Sequence, residues 1–191
     1  MKKIAAVLLA LAMLCSFFCI AEESLSTAEQ AKNVISVINY FVKENSGVEQ
    51  LFVGFQEAVE GQVYGFFTDD NTLQALVVAN EDENTLDSCS FICDDPAVMP
   101  LALNCASLLP FAQLLYTGDE STADALREDM IDMAAWFDEH HLDAMEAFEN
   151  GSIYGISYLE SDFFHLELVI VPLDEGSRLM ASYYFSPAEA E

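Results

Sequence analysis

The sequence predicts an α+β fold. It reads as an internally duplicated helix-helix-three-strand unit whose antiparallel strands, about six in all, are covered by helices. Three observations carry this. Gly61-Gln62-Val63-Tyr64-Gly65-Phe66 recurs as Gly151-Ser152-Ile153-Tyr154-Gly155-Ile156. Ser26-Thr27-Ala28-Glu29 recurs, in the same order relative to the first motif, as Ser121-Thr122-Ala123-Asp124. After each Gly-x-x-Tyr-Gly motif the apolar period changes from that of a helix to that of a strand. Two colinear matches point to duplication, whereas capping boxes and turn glycines taken singly recur by convergence.

The first 21 residues are read as a secretory leader and set apart from the fold. Lys2 and Lys3 supply the positive start, Ile4 to Ile20 is free of charge, and Cys19-Ile20-Ala21 places small residues at the −3 and −1 positions of a cleavage site. A paired-lysine start before a short apolar run is the bacterial form. The expectation is therefore an exported chain, secreted or held in the cell envelope, whose mature part is a single domain over 22–191. That part has repeats at 26–93 and 121–185 joined by an apolar helical linker at 96–118. About 170 residues suffice for one sizeable core.

In the first repeat Ser26 to Glu29 forms a capping box, and Val34, Ile35, Ile38, Phe41 and Val42 follow at helical spacing. Leu51, Phe52, Phe55, Ala58 and Val59 keep that spacing, which predicts a second helix ending at Gly61. Strands are predicted at 62–68, 72–79 and 86–93, with Asp69-Asp70-Asn71 and 80–84 as turns. In the third of these, Cys89, Phe91 and Cys93 alternate with Ser88 and Ser90. The linker contains no charge from Pro96 to Gly118. Pro96, Pro100 and Pro110 interrupt it and acids flank it, which argues for a buried connecting helix over a membrane span. The second repeat begins at Ser121, is expected to break at His140-His141 into a shorter helix over 142–149, and continues in strands at 152–159, 163–171 and 178–185. The separation of the two motifs differs by five residues between the halves, a difference the shorter second helix absorbs. Such halves can share one six-stranded sheet or pack as two three-stranded sheets about a pseudo-twofold axis.

Charge restricts function. The chain has 33 acidic and 6 basic residues, a formal net charge of −27, and the loss of Lys2 and Lys3 makes the mature chain more negative still. Phosphate binding needs clustered Lys or Arg, so nucleic acid and anionic lipid are excluded as partners. A cationic protein or peptide is favoured. Of the five cysteines, Cys89, Cys93 and Cys105 lie beyond the leader. Cys89 and Cys93 on one strand face stand roughly 13 Å apart, too far to bridge. Cys93 with Cys105 remains open beside the alternative of buried free thiols.

Candidate chemistry is sparse. His140 and His141 lie among Asp138, Glu139, Asp143 and Glu146. Imidazole and carboxylate ligate zinc, which makes Asp138, His140 and His141 the candidate metal ligands, though helical ligand pairs sit at i, i+4 and a third ligand is missing. His165 and Glu167 share one strand face, a pattern shared by acid–base pairs and by solvated faces. Acid pairs at the turns lack the spacing of a calcium loop. Tyr64, Tyr154 and Trp136 are the candidates for lining a groove between the halves; buried phenols bonded at the sheet rim give the same pattern. No nucleophile elbow, zinc-protease motif or phosphate loop occurs, and no cofactor is implied. The reading is an acidic, non-catalytic binding or interaction protein. The alternatives are a metal-dependent secreted hydrolase using the His140/His141 cluster and a structural or self-associating protein.

Overall fold

Seven strands form one fully antiparallel sheet in the computed structural model, which describes residues 25–80, 82–117 and 120–186. The leader read from the sequence lies outside the described residues. The strands are β1 (Gly54–Val59), β2 (Val63–Phe67), β3 (Leu73–Asn80), β4 (Thr85–Cys93), β5 (Tyr154–Tyr158), β6 (His165–Pro172) and β7 (Ser177–Tyr184). Their order across the sheet is β1-β2-β3-β4-β7-β6-β5. The described helices are α1 (Thr27–Ser46), α2 (Met99–Ser107), α3 (Leu109–Thr117) and α4 (Glu120–Asn150). The α+β class and the six expected strands are present, and a seventh, β1, is added to them.

α1 starts where the capping box places it. The Glu29 amide donates to Ser26 Oγ (3.4 Å), and the Ser26 amide donates to Glu29 Oε2 (3.0 Å). It ends at Gly47, whose φ of 75° is the left-handed geometry a side chain resists. Its inner stripe of Ala31, Val34, Ile35, Ile38 and Val42 is buried in the core.

Three expectations are corrected. Residues 51–59 are not a helix: Leu51 and Phe52 are buried in a loop, and β1 follows as an edge strand exposed along nearly its whole length. The helical spacing arose from two anchor residues preceding a strand too exposed to show alternation. The linker is two helices, because Pro110 has no amide to offer and its ring crowds the carbonyl four residues back. The second half of the chain has one continuous helix, α4, through His140-His141 instead of the expected break. Neither residue opposes helical backbone, and each finds a carbonyl of the preceding turn: His140 Nδ1–H donates to Trp136 O (2.8 Å) and His141 Nδ1–H to Asp138 O (3.0 Å).

The sheet has a covered and an open face. Cross-strand partners share a face. One row runs Tyr64, Val77, Cys89, Tyr183, Leu166, Tyr158, and its neighbour runs Phe66, Ala75, Phe91, Ala181, Leu168, Ile156. Nearly all of these are buried under the helices. α1 packs on β2, β3 and β4, α4 on β5, β6 and β7, and α2 on β4 and β7 at the middle. Cys89, Cys93 and Cys105 are free and buried there, and burial pushes the Cys93 and Cys105 thiols up to about 12. No described helix is long and apolar enough to cross a membrane.

Register around the centre is symmetric. β4 and β7 pair as Cys89↔Tyr183, Phe91↔Ala181 and Cys93↔Leu179. Stepping outward from Cys89 through Val77 reaches Tyr64; stepping outward from Leu179 through Ile170 reaches Tyr154. Exchanging Cys89 with Leu179, and Tyr183 with Cys93, maps this pairing onto itself with Phe91 and Ala181 at its centre.

Candidate functional site

The open face is the surface the architecture leaves available. It is built from the alternate residues of each strand: Val63, Gly65 and Phe67 on β2, Gln74, Leu76 and Val78 on β3, Ser88, Ser90 and Ile92 on β4. Across the centre it continues through Arg178, Met180, Ser182 and Tyr184 on β7, and His165, Glu167, Val169 and Val171 on β6. Most of these side chains are half-buried, unlike the buried rows opposite. Ser90 and Ser182 meet at the middle with their hydroxyls 2.8 Å apart.

On the first half a shallow pocket of about 180 Å³ is lined by Gln56, Gly65, Phe67, Gln74, Leu76 and Ile92, among others. Its shape depends on Gly65. A Cβ there would stand 2.9 Å from Phe67 Cζ, so the glycine lets the ring fold back over the strand. Gly155 has no such neighbour within 4 Å. On the second half the face is polar toward its Tyr184 end. His165 stacks on Tyr184 with centroids 4.1 Å apart, and the Tyr184 hydroxyl donates to Glu167 Oε2 (3.1 Å). Desolvation, and then the Glu167 carboxylate, raise the Tyr184 phenol above its ordinary range. The sequence-stated pair His165 and Glu167 is therefore joined through a phenol, and His165 Nδ1–H is committed to Ser186 O (2.9 Å).

Carboxylates frame the face. Antiparallel topology brings Asp69, Asp70, Asp94, Asp95, Asp174 and Glu175 to one end of the strands, and Glu60, Asp82, Glu83, Glu160 and Asp162 to the other. Arg178 is the one Lys or Arg on the face among the described residues, and two bonds to Asp94 (2.7 and 2.6 Å) neutralise it. That guanidinium holds the Asp94 carboxyl below its usual range. The remaining described cations are engaged elsewhere: Lys43 with Glu49 (2.8 Å), Arg127 with Asp124 (2.9 Å), and Lys32 over the Phe55 ring (4.4 Å).

The groove and metal candidates singled out from the sequence lie away from this face. Tyr64 and Tyr154 pair with Val77 and Ile170 on the covered side, and four strands separate their own. Tyr64 is buried with its hydroxyl 2.6 Å from Thr27 Oγ. Trp136 packs on Tyr158 and His140 from α4. These three rings do not converge on one groove. Asp138 is exposed, the two imidazoles bond backbone as above, and among the described residues no three His, Cys, Asp or Glu side chains cluster to hold a metal. The residues missed were Phe67, Leu76, Ile92 and Ser182. Their signal was the second phase of each alternating strand, polar and apolar mixed, which reads as a solvated face unless the sheet order is known. No protein-family model, no curated protein and no solved structure matches the chain.

Proposed function

We propose that this chain is an exported, non-catalytic binding protein that receives a cationic protein or peptide on the open sheet face, across an axis relating two duplicated halves. One observation carries the reading. A broad half-apolar face is framed at both ends by carboxylates, and its arginine is already paired. Such a face attracts a cation carrying apolar side chains and repels polyanions. The duplication is supported by the symmetric register about Phe91 and Ala181, in which Tyr64 and Tyr154 stand the same number of strands from the centre. Export is supported by the leader pattern of residues 1–21.

The test is calorimetric titration with a synthetic peptide of alternating lysine and leucine. Between about 0.01 M and about 1 M salt the screening length falls from about 30 to about 3 Å. Binding should weaken at least ~10-fold, about 1.4 kcal/mol. Glu167→Gln combined with Asp174→Asn should weaken it at low salt while leaving the melting temperature unchanged. Binding indifferent to salt and to these substitutions, or no binding, overturns the proposal.

A further inference from the structure

The two edges of the sheet are not alike. β1 carries Glu57, and its register with β2 shifts between Glu57 and Val59, a bulge of the kind that discourages further pairing. β5 has no such protection. Tyr154 to Tyr158 contains no charge and no proline, its five pairs with β6 run without a shift, and its flanks Ile153 and Leu159 are 80% and 55% exposed.

The hydrogen-bond phase of this edge follows from one turn. The Leu173 amide donates to Gly176 O (3.0 Å) across the β6–β7 hairpin. Bonding alternates along an antiparallel pair, so His165, Glu167, Val169 and Val171 bond to β7, while Leu166, Leu168 and Ile170 bond to β5. Their β5 partners are Tyr158, Ile156 and Tyr154. Gly155 and Ser157 therefore direct their amides and carbonyls away from the sheet.

β2 has the same phase with a different outcome. The Ala79 amide donates to Gln62 O (2.8 Å), which commits Tyr64 and Phe66 to β3 and turns Gly65 and Phe67 toward Gln56 and Gly54 of β1. β2 and β5 stand equally far from the central pair. What β1 fills beside β2 is, among the described residues, unfilled beside β5.

We propose that β5 accepts an extended segment of a cationic partner protein as an added antiparallel strand, in the register that β1 holds on β2. The charge of the partner rests on the reading above and on the local field: burial and then Asp143 raise the Tyr154 phenol, and burial, Asp129, Asp132 and Glu160 raise that of Tyr158. A second copy would bring two such fields together. The chain's own last residues, 187–191, carry two glutamates and no cation.

The probe is the synthetic peptide KKGFQKAVKK, the β1 sequence with its glutamate replaced by lysine and with lysines at both ends. Amide exchange is followed by NMR on the full mature chain. The peptide should slow exchange at Gly155 and Ser157 at least ~10-fold, about 1.4 kcal/mol. Ser157→Pro, which removes an outward amide and no ladder bond, should abolish the binding while the melting temperature holds. Perturbation confined to Phe67, Leu76 and Ile92, and indifferent to Ser157→Pro, overturns strand addition and leaves the open-face reading standing. Protection of Gly155 and Ser157 that grows with protein concentration without peptide assigns the edge to a second copy and also overturns it. No binding at either place sinks both. Should Ser157→Pro fail to fold, exchange at Gly155 and Ser157 in the unsubstituted chain decides alone.

Discussion

Phenols tie the helices to the sheet. The Tyr183 hydroxyl donates to Gln113 Oε1 of α3, whose Nε2 donates to Phe163 O (3.1 Å), and the Tyr158 hydroxyl donates to Asp129 O of α4 (3.3 Å). Both phenols bond as the neutral acid. Burial pushes Tyr183 well up and Tyr158 up to about 12, against an ordinary value near 10. A group whose pKa is higher folded than unfolded contributes stability that is complete below the unfolded value and is lost as pH rises through the folded one. The fold should therefore hold to about pH 10 and give way as pH approaches about 12. Tyrosinate absorbance and far-UV circular dichroism should change together; ionisation of these phenols without loss of structure would contradict this. Tyr64 stood out in the sequence through its motif. Tyr183 did not, since one buried tyrosine in an alternating strand looks like any other.

Among the elements, β1 depends most on a single side chain. Asn39 of α1 accepts from the amides of Leu51 (3.1 Å) and Phe52 (2.9 Å) and donates to Phe52 O (3.3 Å). These bonds pin the loop that buries Leu51 and Phe52 and delivers the chain to the sheet edge. Asn39→Ala strands two amides beside buried side chains and should cost about 1–3 kcal/mol. Urea denaturation measures this, and the β1 amides should exchange faster. Asn39 also accounts for what was illegible here. Leu51 and Phe52 owe their burial to a polar residue twelve positions earlier, which no local period records. The six strands other than β1 were legible because each alternates between a helix-covered phase and a more solvated one, and β1 alternates in nothing. α4 was misread because the two imidazoles resembled a break, when each bonds the turn before it. The candidate metal and groove residues were chosen for their chemistry, and only strand order and helix packing decide what they face.

At the scale of the whole molecule, each half of the sheet is made of neighbours in sequence, and the halves meet only where β4 pairs with β7. The first seam pair, Ser88 with Tyr184, joins residues 96 positions apart, whereas β3 with β4 and β6 with β7 close through short turns. Closing a long loop costs more chain entropy than closing a hairpin, and that cost precedes any gain from contact. The hairpin stacks should therefore form early and the seam late. In pulse-labelled refolding, amides on the seam side of Ser88 to Cys93 should gain protection after those of β3 and β6, and simultaneous protection would refute the order. In the interval before the seam closes, β4 and β7 are themselves raw borders. A newly made chain then presents two extra places where another chain could dock wrongly, and the finished barrier between them is only as durable as that last-zipped line.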